Sequence, residues 1–134
     1  MEITVRRFDI ESVSDYKDVV QWWHAQKRAI LAPELLPTLG FVVEHEGQKI
    51  AMSWLYCSDS AVGFVGWTTI NPDAPKRVVP KAVKALEEAV AFAAKSAKIR
   101  LLFAFSGGGW FSRLLTKLGW VNTTIQHDFL MKGV

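Results

Sequence analysis

Strand-like and helical stretches alternate along these 134 residues, and that alternation predicts an α/β fold. Two further observations support it. Half of the residues, 50%, are hydrophobic, which is enough for one sizeable core at a length typical of a single domain. Residues 99–105 are almost continuously apolar, the pattern of a strand buried on both faces within a parallel pair. No repeat, low-complexity tract or linker interrupts the chain, so residues 1–134 read as one domain.

Residues 2–8 alternate Ile3, Val5 and Phe8 with polar neighbours and predict a first strand. Ser12 or Ser14 then caps a helix from residue 15 to about 31, where Tyr16, Val19, Val20, Trp23 and Ile30 recur at helical spacing. Pro33 and Pro37 end it. Residues 41–46, the Gly47 turn and residues 49–57 form a hairpin whose two faces are both largely apolar and both covered. A polar turn at 58–60 leads into a strand over 61–70 that contains Gly63 and Gly66. After Asn71-Pro72 and a proline-containing loop, a helix spans about 80–97, with Val79, Val83, Leu86, Val90 and Ala94 on its buried side and Pro80 at its first position. The strand at 61–70, this helix and the strand at 99–105 make a right-handed βαβ crossover. Gly107, Gly108 and Gly109 precede a short helix over 110–118, which Gly119 closes in the left-handed conformation. Residues 120–124 and 127–132 supply the final strand or strands.

Charge and cysteine content narrow the function. A net charge of +3 and a pI of about 9.1 are too slight a surplus for a dedicated nucleic-acid binder, so no nucleic-acid partner is expected. A single cysteine, Cys57, rules out an intrachain disulfide and a cysteine-rich zinc site. His24, His45 and His127 share no metal-ligand spacing, so no metal is expected. With no signal-like or membrane-length apolar run, the expected location is the cytosol, without a membrane partner.

The order of elements resembles the GNAT (GCN5-related N-acetyltransferase) fold across nearly the whole chain. Its best local match is Leu114-Leu115-Thr116-Lys117-Leu118-Gly119-Trp120, similar to the Leu-Tyr-x-Lys-x-Gly-Phe end of that family's last helix. In length and in the Asn71-Pro72 step after the fourth strand, the chain looks closest to small acetyltransferase-like proteins of phages and prophages, for which the location would be the host cytosol. The resemblance implies a mixed sheet in the order β-α-β-β-β-α-β-α-β. Its fourth and fifth strands splay after a bulge, and the pantetheine arm of acetyl-CoA or a related acyl-CoA pairs with fourth-strand backbone. Gly63 and Gly66 stand where that bulge belongs, or else relieve crowding beside Phe64 and Trp67. The backbone of Trp67, Thr68 and Thr69 would line the arm.

Two departures accompany the resemblance. The family's pyrophosphate loop carries two glycines, whereas residues 75–80 here read Pro-Lys-Arg-Val-Val-Pro and Pro80 has no N–H. Lys76, Arg77 and Lys81 instead crowd the positive end of the helix dipole, which suits either a bound phosphate or a solvated basic loop. The tyrosine that often protonates the departing thiolate corresponds to Leu115. By residue type, Glu44, His45, Asp59, His127 and Asp128 are candidate bases, each also readable as an ordinary surface or hydrogen-bonded group. Tyr56, Ser106 and Cys57 are candidate thiolate partners or nucleophiles. Ser106, Tyr56 and Glu44 are carried forward as the catalytic set. Ser106 is the best placed, at the carboxyl end of the central strand, and Gly107 and Gly108 after it allow a cofactor to approach closely or simply form a flexible turn. Trp22 and Trp23 diverge by about 100° around a helix, which predicts that one faces a substrate lip or dimer interface.

The expected activity is N-acyl transfer from acyl-CoA, by direct attack of an amine. The main alternative is a non-catalytic phage or prophage binding or virion-associated protein that keeps the fold. A third reading is an enzyme modifying nucleic-acid bases, which requires a basic surface continuous with the cleft. A homodimer is left open.

Overall fold

Five strands form one mixed sheet in the order β1-β2-β3-β4-β5. They are β1 (Ile3–Arg7), β2 (Gly40–His45), β3 (Gln48–Cys57), β4 (Val62–Ile70) and β5 (Leu101–Ala104). The first three neighbouring pairs are antiparallel, and β4 and β5 are parallel. The helices are α1 (Val13–Ala25), α2 (Val79–Ser96) and α3 (Gly109–Lys117), with a 3-10 turn at Pro33–Leu35. This computed structural model describes residues 2–106, 109–123 and 130–134.

The sheet is covered on both faces because its central strands are apolar on both. On one side, Val79, Ala82, Val83, Leu86, Val90 and Ala94 of α2 pack on Phe41, Val43, Ala51 and Leu55. On the other, Val19, Trp22 and Trp23 of α1 pack on Phe8, Val42, Met52 and Trp54. Trp23 and Trp54 are fully buried with ring centroids 6.1 Å apart, and such a pair contributes about 0.5–1.5 kcal/mol beyond the area it buries.

Both Trp22 and Trp23 are buried, which corrects the expectation that one would face outward. The divergence around the helix is real, but the loop after α1 folds back over it. Leu31 and Leu36 pack against the same cluster, and Tyr16 donates a 2.8 Å hydrogen bond to the Leu31 carbonyl. The helix also stops at Ala25, not near residue 31, and eight residues before Pro33. Lys27 takes the left-handed conformation at φ 55°, its N–H donates to the His24 carbonyl (3.1 Å), and the Arg28 N–H donates to the Trp23 carbonyl (2.8 Å). That is a Schellman stop built on a lysine where glycine is usual.

Three other expectations are corrected. Pro80 is the second helical residue, after Val79. In β5, Leu101 and Phe103 are 51% and 45% exposed, so this strand is not buried on both faces. The reason is that α2 covers one side, while α1 packs over β2, β3 and β4. Residues 120–123 and 130–132 contain no strand, and the remainder of the expected final strands lies outside the described residues. Gly119 does close α3 with a positive φ of 102°, with Trp120 N–H donating to the Leu115 carbonyl. Among the described residues no helix is long and apolar enough to cross a membrane.

Asp15 fastens the start of α1 to the sheet. Its carboxylate, 1% exposed, receives two 2.8 Å hydrogen bonds from the Arg6 guanidinium, pairs with Lys49 Nζ at 2.9 Å and accepts the Asp9 N–H at 3.1 Å. Arg6 above all, with help from Lys49 and the Asp9 amide, holds the Asp15 carboxyl far below the usual carboxylate range despite its burial. A carboxyl with a lowered folded pKa stabilises the fold above its unfolded pKa, near 3.9, and loses that contribution progressively as pH falls. Asp15→Asn is expected to destabilise the protein by about 2–3 kcal/mol at pH 7. Denaturant titrations should show that difference shrinking below about pH 4; a difference that stays constant with pH would assign the loss to packing.

Candidate active-site cleft

A bulge in β4 opens the site. Between the pairs Met52↔Thr69 and Trp54↔Gly66, two steps along β3 match three along β4, so β4 carries one extra residue at Trp67-Thr68. Trp67 takes φ 57°, a strained conformation for a bulky side chain. On the other edge, β4 pairs with β5 only as far as Val65↔Ala104, although β4 itself continues to Ile70. The two parallel strands therefore part at the bulge and leave a cleft of about 560 Å³. Val83, Leu86 and Val90 of α2 and Phe111 and Leu115 of α3 give it largely apolar walls.

The bulge sits one residue beyond Gly66, not at either glycine. Both glycines relieve crowding. A Cβ on Gly66 would stand 2.9 Å from Cε1 of Tyr56, and one on Gly63 would stand 2.8 Å from Cδ1 of Ile99 and 3.2 Å from the Tyr56 carbonyl.

Among the described residues the polar groups at this cleft are few. Ser53 and Thr68 share a hydroxyl hydrogen bond of 2.7 Å, as do Ser106 and Ser112 at 2.6 Å. Glu87 projects from α2 among the apolar residues. Burial raises its pKa above the ordinary carboxylate range, partly offset by a hydrogen bond from the Trp120 side chain, and nearby Glu88 raises it further. Arg28 enters from the loop after α1 and lies over the Trp67 ring, 5.6 Å from its centroid. Neither Glu87 nor Arg28 was singled out from the sequence. Glu87 sits beside Glu88 on what reads as a solvated helix face, and Arg28 follows a helix end that no glycine marks.

The structure brings Trp67, Thr68 and Ser106 to the cleft. The Thr69 side chain turns to the α1 side, where its hydroxyl accepts a 2.9 Å hydrogen bond from the Trp23 indole and donates to the Trp67 carbonyl at 2.6 Å. Tyr56 lies on that same side and donates to the Leu35 carbonyl at 3.3 Å, with its pKa raised by burial. Glu44 is at the β1–β2 pairing, tied to Arg6 at 2.9 Å. His45 is buried in β2 with Nε2 lacking a hydrogen-bond partner among the described residues. Cys57 and Asp59 are exposed at the β3–β4 turn. Lys76 and Arg77 are exposed in the turn before α2, and neither makes an ion pair among the described residues. Gly107, Gly108, His127 and Asp128 lie outside the described residues. Among those described, no group of three or more His, Cys, Asp or Glu side chains is placed to hold a metal ion.

Solved structures share this fold. An aminoglycoside acetyltransferase from an uncultured soil metagenomic sample, in complex with sisomicin, is 11% identical with a TM-score of 0.70, covering 98% of this chain and 97% of that one. The ribosomal-protein-S18-alanine N-acetyltransferase of Escherichia coli is 13% identical with a TM-score of 0.65, covering 88% of this chain and 77% of the enzyme. N-acetylglutamate synthase of Neisseria gonorrhoeae, complexed with coenzyme A and N-acetyl-glutamate, is 18% identical with a TM-score of 0.63 over 84% of this chain. The chain spans only 28% of that synthase. No protein-family model matches the sequence, and no curated protein matches it. At these identities the likeness is one of fold, and the fold is GNAT: a mixed five-stranded sheet with β4 and β5 parallel and parted.

Gly66→Ala is expected to cost about 1–3 kcal/mol by driving a methyl into the Tyr56 ring. In a Tyr56→Ser background the same substitution should cost little by chemical denaturation, whereas an equal loss in both backgrounds would place the clash elsewhere.

Proposed function

We propose that the chain is an acetyl-CoA-dependent N-acyltransferase in which an amine attacks the thioester directly within a ternary complex. The observation that carries this reading is the parting of β4 and β5 beyond Val65 over an apolar cleft of about 560 Å³. It has support from the CoA bound to the synthase and the amine-bearing sisomicin bound to the aminoglycoside acetyltransferase, which share the fold.

The cleft suits the arm of a CoA molecule: beyond Val65 the β4 backbone has no β5 partner strand, and the facing walls are apolar. Bound there, an acyl-CoA supplies an activated acyl group. The backbone around Trp67 and Thr68 would flank the arm, and Lys76 and Arg77 would meet the phosphates at the start of α2, where the helix dipole adds about 0.3–1 kcal/mol. Without the loop glycines, those two side chains carry more of the phosphate recognition than backbone N–H groups do.

Glu87 is the group we assign to proton removal from the acceptor amine. It lies eight residues beyond Val79, about 12 Å along α2 at the usual helical rise. Trp67 lies three residues before the end of β4, about 10 Å back along a strand. Because α2 returns the chain between two parallel strands, it runs back along β4, and the two residues reach similar depths. A carboxylate of raised basicity, surrounded by apolar walls, is better matched to an ammonium proton than an exposed one. Leu115 offers no proton, and the Ser106 hydroxyl at the same cleft is our assignment for proton donor.

Calorimetric titration with acetyl-CoA tests the reading first. Saturable binding is expected, weakened about tenfold or more in Lys76→Ala/Arg77→Ala; no binding at millimolar ligand would favour a non-catalytic protein that retains the fold.

For Glu87→Gln, turnover at neutral pH is expected to fall by at least about 100-fold with acetyl-CoA binding retained. In the unaltered protein kcat/KM should rise with pH through a pKa above the ordinary carboxylate range, and that rise should vanish in the variant. Loss of no more than a few-fold would remove Glu87 from the mechanism.

A further inference from the structure

Arg28 is a half-buried cation to which no described residue offers an acidic partner. Its backbone is pinned by the Schellman stop of α1, where its own N–H bonds the Trp23 carbonyl at 2.8 Å beside the left-handed Lys27. Its side chain is held as firmly. Nη1 donates to the Thr68 carbonyl at 3.1 Å and to the Thr69 hydroxyl at 3.2 Å, and the guanidinium lies over Trp67. Every other ion pair among the described residues gathers around Asp15 or beside His45, and Arg28 takes part in none. Burial destabilises its charged form, and no carboxylate among the described residues compensates.

Both bonds made by the guanidinium use Nη1. A guanidinium carries five N–H donors in a planar fork, so Nη2 and Nε remain to meet a ligand side by side. That geometry matches the two oxygens of a carboxylate. The fork lies at the cleft beside Thr68, at the bulge where β4 and β5 part, and Glu87 lines the same cleft from α2.

We propose that Arg28 is the carboxylate anchor of the acceptor site, and that the acceptor is a small amine bearing a carboxylate, of the amino-acid class. The proposal rests on the acyltransferase reading above and adds what that reading leaves unnamed. An amino acid held this way presents its carboxylate to Arg28 from the α1 side. Its ammonium is then directed toward the parted strands, within the cleft that Glu87 lines. Transfer forms the amide N–C bond and breaks the thioester C–S bond. The ammonium gives up two protons, one to the Glu87 carboxylate before attack and one that reaches the departing sulfur through the Ser106 hydroxyl, which regains it from the amine nitrogen, so that acyl amino acid, free CoA thiol and protonated Glu87 result.

The test uses the full chain saturated with CoA thiol, titrated calorimetrically with amino acids from each side-chain class and with the matching carboxamides and amine phosphate monoesters. At least one amino acid should bind about tenfold or more tightly than its carboxamide. Arg28→Gln, which keeps a polar side chain but removes the charge and the fork, should bring that ratio close to one, and Arg28→Lys should fall between. With acetyl-CoA, the kcat/KM ratio of acid to carboxamide should follow the same order. Thermal melts of both variants report whether the fold is kept. If CoA binds but no amino acid exceeds its carboxamide, or if Arg28→Gln retains the preference, the anchor assignment is overturned and the acyltransferase reading stands. Preference for a phosphate monoester over every amino acid overturns the carboxylate assignment. Failure of CoA itself to bind removes both.

Discussion

The cleft exists because one strand has to satisfy two neighbours with different registers. β4 is antiparallel to β3 along nearly its whole length, and the extra residue at Trp67-Thr68 changes its twist midway. β5 ends at Ala104, and its pairing with β4 stops at Val65↔Ala104, just short of that extra residue. The bulge re-aims the residues that flank the opening just beyond the end of that ladder. A left-handed tryptophan is a costly way to do this, of order 1–3 kcal/mol, and the surrounding aromatic packing holds it. The Trp67 ring stands edge-on to Trp23, with centroids 6.1 Å apart, and beneath Arg28. The strain at the opening is thereby linked to the core beneath α1.

The parts of this architecture that follow periodic rules were legible in the sequence. The buried face of α2 repeats at helical spacing, and the hairpin of β2 and β3 turns at Gly47, which has a φ of 79°. Gly119 ends α3 as its residue type predicts. What escaped reading were places where tertiary contacts override a local rule. Lys27 adopts a glycine conformation, so the end of α1 carried no mark. The bulge falls on a tryptophan and not on the two glycines beside it, because Gly63 and Gly66 are needed to admit Ile99 and Tyr56. Trp22 is buried by a loop whose path no periodicity encodes.

The site divides in the same way. Ser106 reaches the cleft as expected from the carboxyl end of a central strand, where α/β folds place ligands, and Thr68 was chosen because the resemblance sets a cofactor arm along fourth-strand backbone. Glu44 and Tyr56 were chosen by residue type alone, and type does not reveal which face of a sheet a side chain takes. Arg6 engages the first, and the second packs beneath the glycine that accommodates it. Arg28 and Glu87 come into view only when the loop after α1 and the middle of α2 are brought to a common cleft.

Those two residues reach the opening from opposite faces of the sheet and from segments far apart in the chain. Arg28 is set by the stop of α1 and by the aromatic packing under it, and Glu87 by the apolar stripe that seats α2. Neither support passes through the other. On the roles proposed for them, changes in the first helix and its loop would alter which molecule is admitted while the opposing wall keeps its shape, leaving selectivity and chemistry to diverge along separate stretches of sequence.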